Sequence, residues 1–143
     1  MSKIHFENLK NMYAAAPINK FYCPKLEIAE GSATIEIQLS EKLHHAAGAV
    51  HGSVYFKMLD DAAFFAANSL DEKYFVLTTS FTTYITKPVS EGLMKAIGKV
   101  VNSNKSQFIA ESVVYNSDSR EIGRGSGIFV RGKLPLNEAK GYG

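Results

Sequence analysis

The sequence has a single cysteine and no tryptophan, and no long stretch of it is uniformly hydrophobic. One cysteine cannot form an intramolecular disulfide framework, so we expect a reducing, cytoplasmic compartment. We expect Cys23 to be an ordinary small residue in or just below the core. The most apolar stretch, residues 54–70, is interrupted by Lys57, Asp60 and Asp61 and lacks the length and purity of a membrane span. The amino-terminal residues lack the uninterrupted apolar segment of a secretory signal.

Neither sign of charge is in large excess. Sixteen Lys and Arg residues against fourteen Asp and Glu give a net charge of +2, and the basic residues are scattered, which argues against a nucleic-acid-binding protein. One cysteine and four histidines do not have the spacing of a zinc site, so we expect no metal. The 143 residues, 45% hydrophobic and 21% charged, predict one folded domain over residues 1–143, with a frayed tail from about 134 to 143.

Hydrophobic periodicity predicts an α+β fold with about six strands and one long helix. A period of 3.6 predicts a short surface helix over residues 6–15 and a long, nearly all-apolar helix over residues 53–69. Alternation predicts a hairpin over residues 25–40 and then a four-strand antiparallel meander. A helix with so little polar surface must be enclosed by the sheet, by a partner chain, or by both.

Two strand patterns in the meander carry specific expectations. In the long strand that ends before Pro88, we expect one apolar face and an opposite polar face that includes Thr78; the apolar set is Phe75, Leu77, Phe81 and Ile85. In the last strand, Gly123, Gly125 and Gly127 recur at a period of two, so we expect another element, the long helix, to approach that face closely.

The polar residues of the long helix are the first candidates for chemistry. Lys57 lies four residues before Asp61, and the two can form an ordinary ion pair. Asp60 lies between Phe56 and Phe64, four residues to either side, and a carboxylate among aromatic rings needs hydrogen-bond partners or a chemical role. The alternative interpretation is that Lys57 also reaches Asp60, or that this side of the helix opens to water.

The segment that leads into the long helix is the second candidate. We expect Ser53 to be the N-cap, and His51 to donate to a backbone carbonyl and hold the turn in shape. Gly52 permits a bound group to come close to the backbone. The first amides of the helix point outward with partial positive charge and can polarise a carbonyl oxygen.

His51-Gly52-Ser53, with Asp60 nine residues after the histidine in a buried helix that a meander follows, resembles the hotdog-fold acyl-CoA thioesterases of the phenylacetate-pathway (PaaI-like) type. The resemblance covers residues 6–132. It implies a curved sheet wrapped around the central helix, and two chains whose sheets join edge to edge, with active sites across the dimer interface. The Gly52 amide of one chain would polarise the thioester carbonyl, and Asp60 of the other would act as general base or nucleophile.

The resemblance also implies roles for flanking residues. Thr78 matches the strand position at which the family has a Ser or Thr that orients the water or the acid. The family commonly has Asn where this chain has His45, and Gly where it has Ser53; His45, Ser53, Phe56 and Phe64 are the candidate substrate-binding residues. Five basic residues are candidates for contacting the coenzyme A phosphates, and the sequence does not select among them: Lys87, Lys105, Arg120, Arg124 and Arg131.

The function implied is hydrolysis of a small or medium acyl- or aryl-acyl-CoA to the free acid and coenzyme A. No metal or redox cofactor is expected, since coenzyme A enters as part of the substrate, and the assembly expected is a homodimer or homotetramer. Two alternatives remain open. His45 in place of Asn motivates a non-catalytic acyl-CoA-binding or sensing protein. An enoyl-thioester hydratase is disfavoured because the acid-then-histidine spacing of such enzymes is missing.

Overall fold

The computed structural model of the chain describes residues 2–143, with three α-helices. Helix α1 spans Lys3–Ala15 and begins three residues earlier than expected, because the Ser2 side chain accepts a hydrogen bond from the His5 N–H and caps it. A four-residue helix, α2, spans Asn19–Tyr22, and the long helix, α3, spans Gly52–Asn68. No helix within residues 2–143 is long and apolar enough to cross a membrane.

Six strands form one antiparallel sheet, as the sequence predicts. They are β1 (Lys25–Ala29), β2 (Ser32–Gln38), β3 (Tyr74–Ile85), β4 (Leu93–Ser103), β5 (Gln107–Tyr115) and β6 (Glu121–Pro135). The order across the sheet is β1-β2-β4-β5-β6-β3, so β3 folds back beyond β6 and forms an edge. Two 3₁₀ turns, Glu41–Leu43 and Leu136–Glu138, complete the chain.

Helix α3 crosses the concave face of the sheet and contacts all six strands. Its buried face includes Tyr55, Met58 and Leu59, which are at most 1% exposed. Gly98 of β4 lets the helix lie this close, because an added Cβ there would overlap the backbone of Ala62. A curved antiparallel sheet wrapped around one central helix is the hotdog fold, which confirms the expected architecture.

The glycine stripe of β6 receives the long helix at one end only, where the Tyr55 ring of α3 lies 3.5 Å from the Cβ position of Gly123. At Gly125 and Gly127 it does not, contrary to our expectation. A Cβ added at Gly125 or Gly127 would overlap the ring of Phe81 in β3, and one added at Gly123 would overlap the carbonyl oxygen of Tyr84. The stripe therefore accommodates the neighbouring edge strand and its aromatic side chain.

The expected alternation of β3 is wrong over part of its length. Thr79 has no partner in the register with β6, so it forms a β-bulge that changes the phase of the strand. Before the bulge Val76 is buried, whereas after it Phe81 lies inward. Leu77 and Ile85, expected on the inner face, are 50% and 49% exposed. Apolar residues thus lie on an open sheet edge.

Two expectations about the periphery are also wrong. The tail from 134 to 143 is packed, since Leu136 is 1% exposed and the Tyr142 hydroxyl lies 2.8 Å from His5 Nδ1. His5 in turn donates from Nε2 to the Asn68 carbonyl, which ties the tail to α1 and to the end of α3. Cys23, expected in or just below the core, is exposed and follows α2 in a left-handed conformation.

Candidate functional site

The amino-terminal end of α3 is capped by His51 and not by Ser53. The Nδ1 atom of His51 accepts the Ser53 N–H at 3.0 Å and lies 2.8 Å from the Ser53 hydroxyl. His51 therefore holds the turn as an acceptor, the reverse of the donor role that we expected. Helix α3 consequently begins at Gly52, one residue earlier than the sequence suggested.

The Gly52 amide is available to a ligand. Within residues 2–143 its N–H has no hydrogen-bond acceptor, as is usual for the first turn of a helix. Gly52 lines an open cavity of about 360 Å³, named here the Gly52 cavity. The cavity is lined by His45, Ala49, Val50, Gly52, Tyr55, Ile85, Thr86, Lys87 and Pro88.

His45 lies in the same cavity as Gly52, as its candidate role requires. Its Nδ1 accepts the Ala47 N–H at 3.1 Å, so in the neutral ring the proton is on Nε2. The side chain is exposed and can present that N–H as a second donor. Ser53 is directed to His51 and lies outside this cavity.

Asp60 lies in the middle of α3, with its carboxylate hydrogen-bonded to β3. The Thr78 hydroxyl donates to Asp60 Oδ1 at 3.0 Å, which brings together two residues that the sequence separates by eighteen positions. Within residues 2–143 the other oxygen, Oδ2, has no hydrogen-bond partner. Burial raises the pKa of Asp60 from 3.8 to about 6, and the hydrogen bond from Thr78 opposes this shift.

A second cavity, of about 290 Å³, opens beside this carboxylate and is named here the Asp60 cavity. Its walls are mostly apolar. They come from α1, from α3, from β3, and from the segment that joins α1 to the start of α2. The lining residues are Met12, Tyr13, Ala16, Ile18, Asn19, Lys57, Asp60, Asp61, Phe64, Phe65, Phe75, Val76, Leu77 and Thr78. The cavity thus combines one accessible acid with an aromatic and aliphatic pocket.

Of the two aromatic residues that lie four positions to either side of Asp60, Phe64 lines the Asp60 cavity and Phe56 does not. Phe56 is 43% exposed and its ring packs against Phe81, with 5.6 Å between centroids. Phe64 packs against Phe75 at 5.2 Å. The spacing of four residues brings both aromatic residues to one side of α3. Phe56, one turn before Asp60, contacts the edge strand, whereas Phe64, one turn after Asp60, lines the cavity.

Asp61 has the ion pair that the sequence predicts. Lys57 Nζ donates to Asp61 Oδ2 at 2.6 Å, and the Tyr13 hydroxyl donates to the same oxygen at 2.6 Å. Sequence reasoning missed Tyr13, because its partner is 48 residues away. The only signal was the helical stripe of Leu9, Met12 and Tyr13, which indicates that Tyr13 faces the core but not what it contacts.

The basic candidates differ in how they are engaged. Arg124 forms a two-bond pair with Glu121 at 2.7 and 2.6 Å. Arg131 contacts Asp71 and lies over the Phe108 ring. Lys87 lines the Gly52 cavity. The described residues contain no cluster of three or more His, Cys, Asp or Glu side chains that could hold a metal ion.

Gly52 and Asp60 of one chain cannot contact the same carbonyl group. They are eight residues apart on α3, which corresponds to about 12 Å along the helix axis. Each lines its own cavity, and neither cavity contains the other residue.

Comparison with known proteins relates this arrangement to a family. Residues 47–122, just over half of the chain, match the model of the thioesterase superfamily. A curated protein of Saccharolobus solfataricus that carries the name "Putative esterase" is 24% identical over 104 residues, which cover 73% of this chain and 69% of that protein.

Solved structures share the fold at low sequence identity. The PaaI protein from the phenylacetic acid degradation operon of Escherichia coli superposes with a TM-score of 0.85 at 18% identity, covering 94% of this chain and 97% of that one. A thioesterase family protein from Silicibacter pomeroyi gives 0.81 at 21% identity, covering 88% of this chain and 96% of the other.

Proposed function

Since the chain belongs to the thioesterase superfamily and is a thioester hydrolase, we propose that it hydrolyses a small or medium acyl- or aryl-acyl-CoA to the free acid and coenzyme A. The observation that carries this proposal is the pairing of an accessible carboxylate, Asp60, with an apolar cavity beside it. Coenzyme A takes part only as the substrate's leaving group.

In this proposal Asp60 is the general base. Its Oδ2 accepts a proton from water as the water oxygen attacks the thioester carbonyl carbon, while Thr78 holds Oδ1. The C–S bond of the tetrahedral intermediate then breaks, and the departing thiolate takes the proton back from Asp60. A pKa of about 6 suits this task, because the carboxylate is ionised at neutral pH yet more basic than an ordinary aspartate.

The negative oxygen that forms on the carbonyl needs donors, and the Gly52 cavity supplies them. The free Gly52 N–H is the first, and His45 Nε2 is the second. His51 supports them indirectly, since its bond to the Ser53 N–H fixes the turn from which the Gly52 amide projects.

We propose that one site combines Gly52 of one protomer with Asp60 of its partner. The sheet edge supports this, because β3 has twelve residues, no neighbour on its outer side within the described chain, and exposed Leu77, Tyr84 and Ile85. Antiparallel pairing of two β3 strands around Phe81 would bring the part of one strand near Thr78, which lines the Asp60 cavity, close to Ile85 of the partner subunit, which lines the Gly52 cavity. The protein is then at least a dimer, and pairing of dimers gives the tetramer.

The test is release of free thiol from a panel of acyl-CoA thioesters. We expect turnover by the native chain and a loss of about 10²- to 10⁴-fold in kcat for Asp60→Asn, because the amide keeps the shape but cannot accept the proton. Asp118→Asn, in the exposed turn between β5 and β6, is the matched control and should retain the native rate. Native turnover by Asp60→Asn, or binding of acyl-CoA with no thiol release by the native chain, would contradict the proposal.

A further inference from the structure

Four side chains next to Asp60 form a cluster that the proposed reaction does not use. Lys57 Nζ lies 2.6 Å from Asp61 Oδ2, and Tyr13 donates to that same oxygen at 2.6 Å. The ammonium group also lies over two aromatic rings, 5.2 Å from the Tyr13 centroid and 5.0 Å from that of Tyr22. We call Tyr13, Tyr22, Lys57 and Asp61 the Lys57 cluster. Three contacts with side chains of three helices therefore fix the ammonium group, and a fourth contact, from Tyr13 to Asp61, holds its anionic partner.

This fixed position matters because Lys57 has two carboxylates within reach. Asp60 is three residues after it and Asp61 is four residues after it, and both spacings bring side chains together on a helix. An ammonium group bound to Asp60 would occupy the oxygen that the base needs. The cluster directs Lys57 to Asp61 and leaves Asp60 Oδ2 without a partner among residues 2–143.

We propose that Asp61 and Tyr13 are positioning residues that hold the Lys57 ammonium away from Asp60, so that the Asp60 carboxylate stays open to the attacking water. This inference rests on the proposed function of Asp60. It gives the second of two adjacent aspartates a task in the reaction beyond an ordinary ion pair.

The groups around Asp60 make the electrostatic effect traceable. Helix α3 contributes Lys57 and Asp61, α1 contributes Tyr13 and α2 contributes Tyr22, whereas the lining residues from β3 do not titrate. Burial is the main cause of the raised pKa of Asp60 and Thr78 opposes it; the Asp61 charge raises it further and Lys57 lowers it. Burial raises the pKa of Tyr13 far above its usual value, so Tyr13 stays protonated and remains a donor to Asp61.

The test is Asp61→Asn, followed by Lys57→Met in the same chain. Without its anionic partner, Lys57 should turn to Asp60, and we expect kcat to fall about tenfold while the acid limb of the kcat/KM profile moves about one pH unit lower. Removing the ammonium group in the double variant should restore kcat to within about threefold of the native value and return the acid limb. Loss of the Asp61 charge by itself also lowers the acid limb, so the deciding readout is kcat at pH 8, where Asp60 is ionised in every variant. A purely structural or through-space role for Asp61 would not lower that kcat tenfold and then restore it when the ammonium group is removed.

Tyr13→Phe covers the case in which Asp61→Asn does not fold. This variant keeps the ring under Lys57 and removes only the hydroxyl, so we expect a two- to threefold loss and a smaller shift of the acid limb in the same direction. The inference is overturned if the acid limb of Asp61→Asn is unchanged, or that of Tyr13→Phe where only this variant folds. It is also overturned if the double variant has no higher kcat than Asp61→Asn. If Asp60→Asn itself keeps native activity, the proposed function fails instead.

Discussion

The two cavities along α3 differ in almost every property that matters for hydrolysis. The Gly52 cavity lies at the helix start, has no carboxylate in its lining, and presents hydrogen-bond donors. The Asp60 carboxylate lies about two turns further along, and its cavity is walled by aromatic residues and contains two carboxylates. One environment suits a developing negative oxygen and the other suits removal of a proton. Because the proposed reaction needs both environments, neither cavity would be a complete site by itself.

The largest effect that probes this comparison is loss of the donor in the Gly52 cavity. Gly52→Pro removes the N–H at the first helical position, where proline is well tolerated, and the preceding His51 already has the extended backbone that proline requires. We expect kcat to fall about 10²- to 10³-fold. The assay is thiol release at saturating acyl-CoA.

Gly52→Ala is the matched control, since it adds a Cβ that meets the same Ile85 side chain but keeps the amide. Equal loss of kcat in both variants would mean that crowding, and not the donor, matters.

Mixing Gly52→Pro with Asp60→Asn chains extends the test. About half of randomly formed dimers are mixed and each has one intact site, so about one quarter of native activity should return. No recovery would contradict the shared site.

A smaller effect is expected from the strand side of the Asp60 cavity. The native kcat/KM should rise with pH through about 6, because Asp60 must lose its proton to act as a base. Thr78→Val removes the hydrogen bond that favours the ionised form, so the acid limb should move to higher pH and the rate at pH 7 should drop several-fold. Thr79→Val, whose hydroxyl donates to Ile128, is the control. An acid limb that Thr78→Val leaves in place would argue that Asp60 is not the titrating base.

Sequence periodicity sufficed for most of the fold, and it singled out the candidates at the two ends of the proposed site. Regular alternation predicted the six strands, and a lone acid among aromatic residues singled out Asp60. The phase of β3 could not be predicted, because the bulge at Thr79 depends on pairing with β6. The same limit applies to Tyr13 and to the placement of His45 with Lys87, since these contacts arise only when distant segments fold together.

The smallest expected effect is on stability, and its pH dependence is specific to the carboxylate of the Asp60 cavity. Asp60 has a folded-state pKa near 6 against an ordinary 3.8, so the native state favours the protonated form, and stability is lost as pH rises through that interval. Asp60→Asn removes the cost of keeping this carboxylate ionised in the folded state, so it should raise the free energy of unfolding by about 1–2 kcal/mol at pH 8. This is less than the free energy that corresponds to the whole pKa shift, because the side chain is partly solvated. At pH 4 we expect little change. Urea unfolding at fixed protein concentration measures it, with Asp118→Asn as the control. Destabilisation of Asp60→Asn at pH 8 would contradict this prediction, because it would mean that hydrogen bonds and charges in the folded state stabilise the ionised carboxylate. Stabilisation together with loss of turnover would mark Asp60 as a residue that is retained for chemistry at a cost in stability.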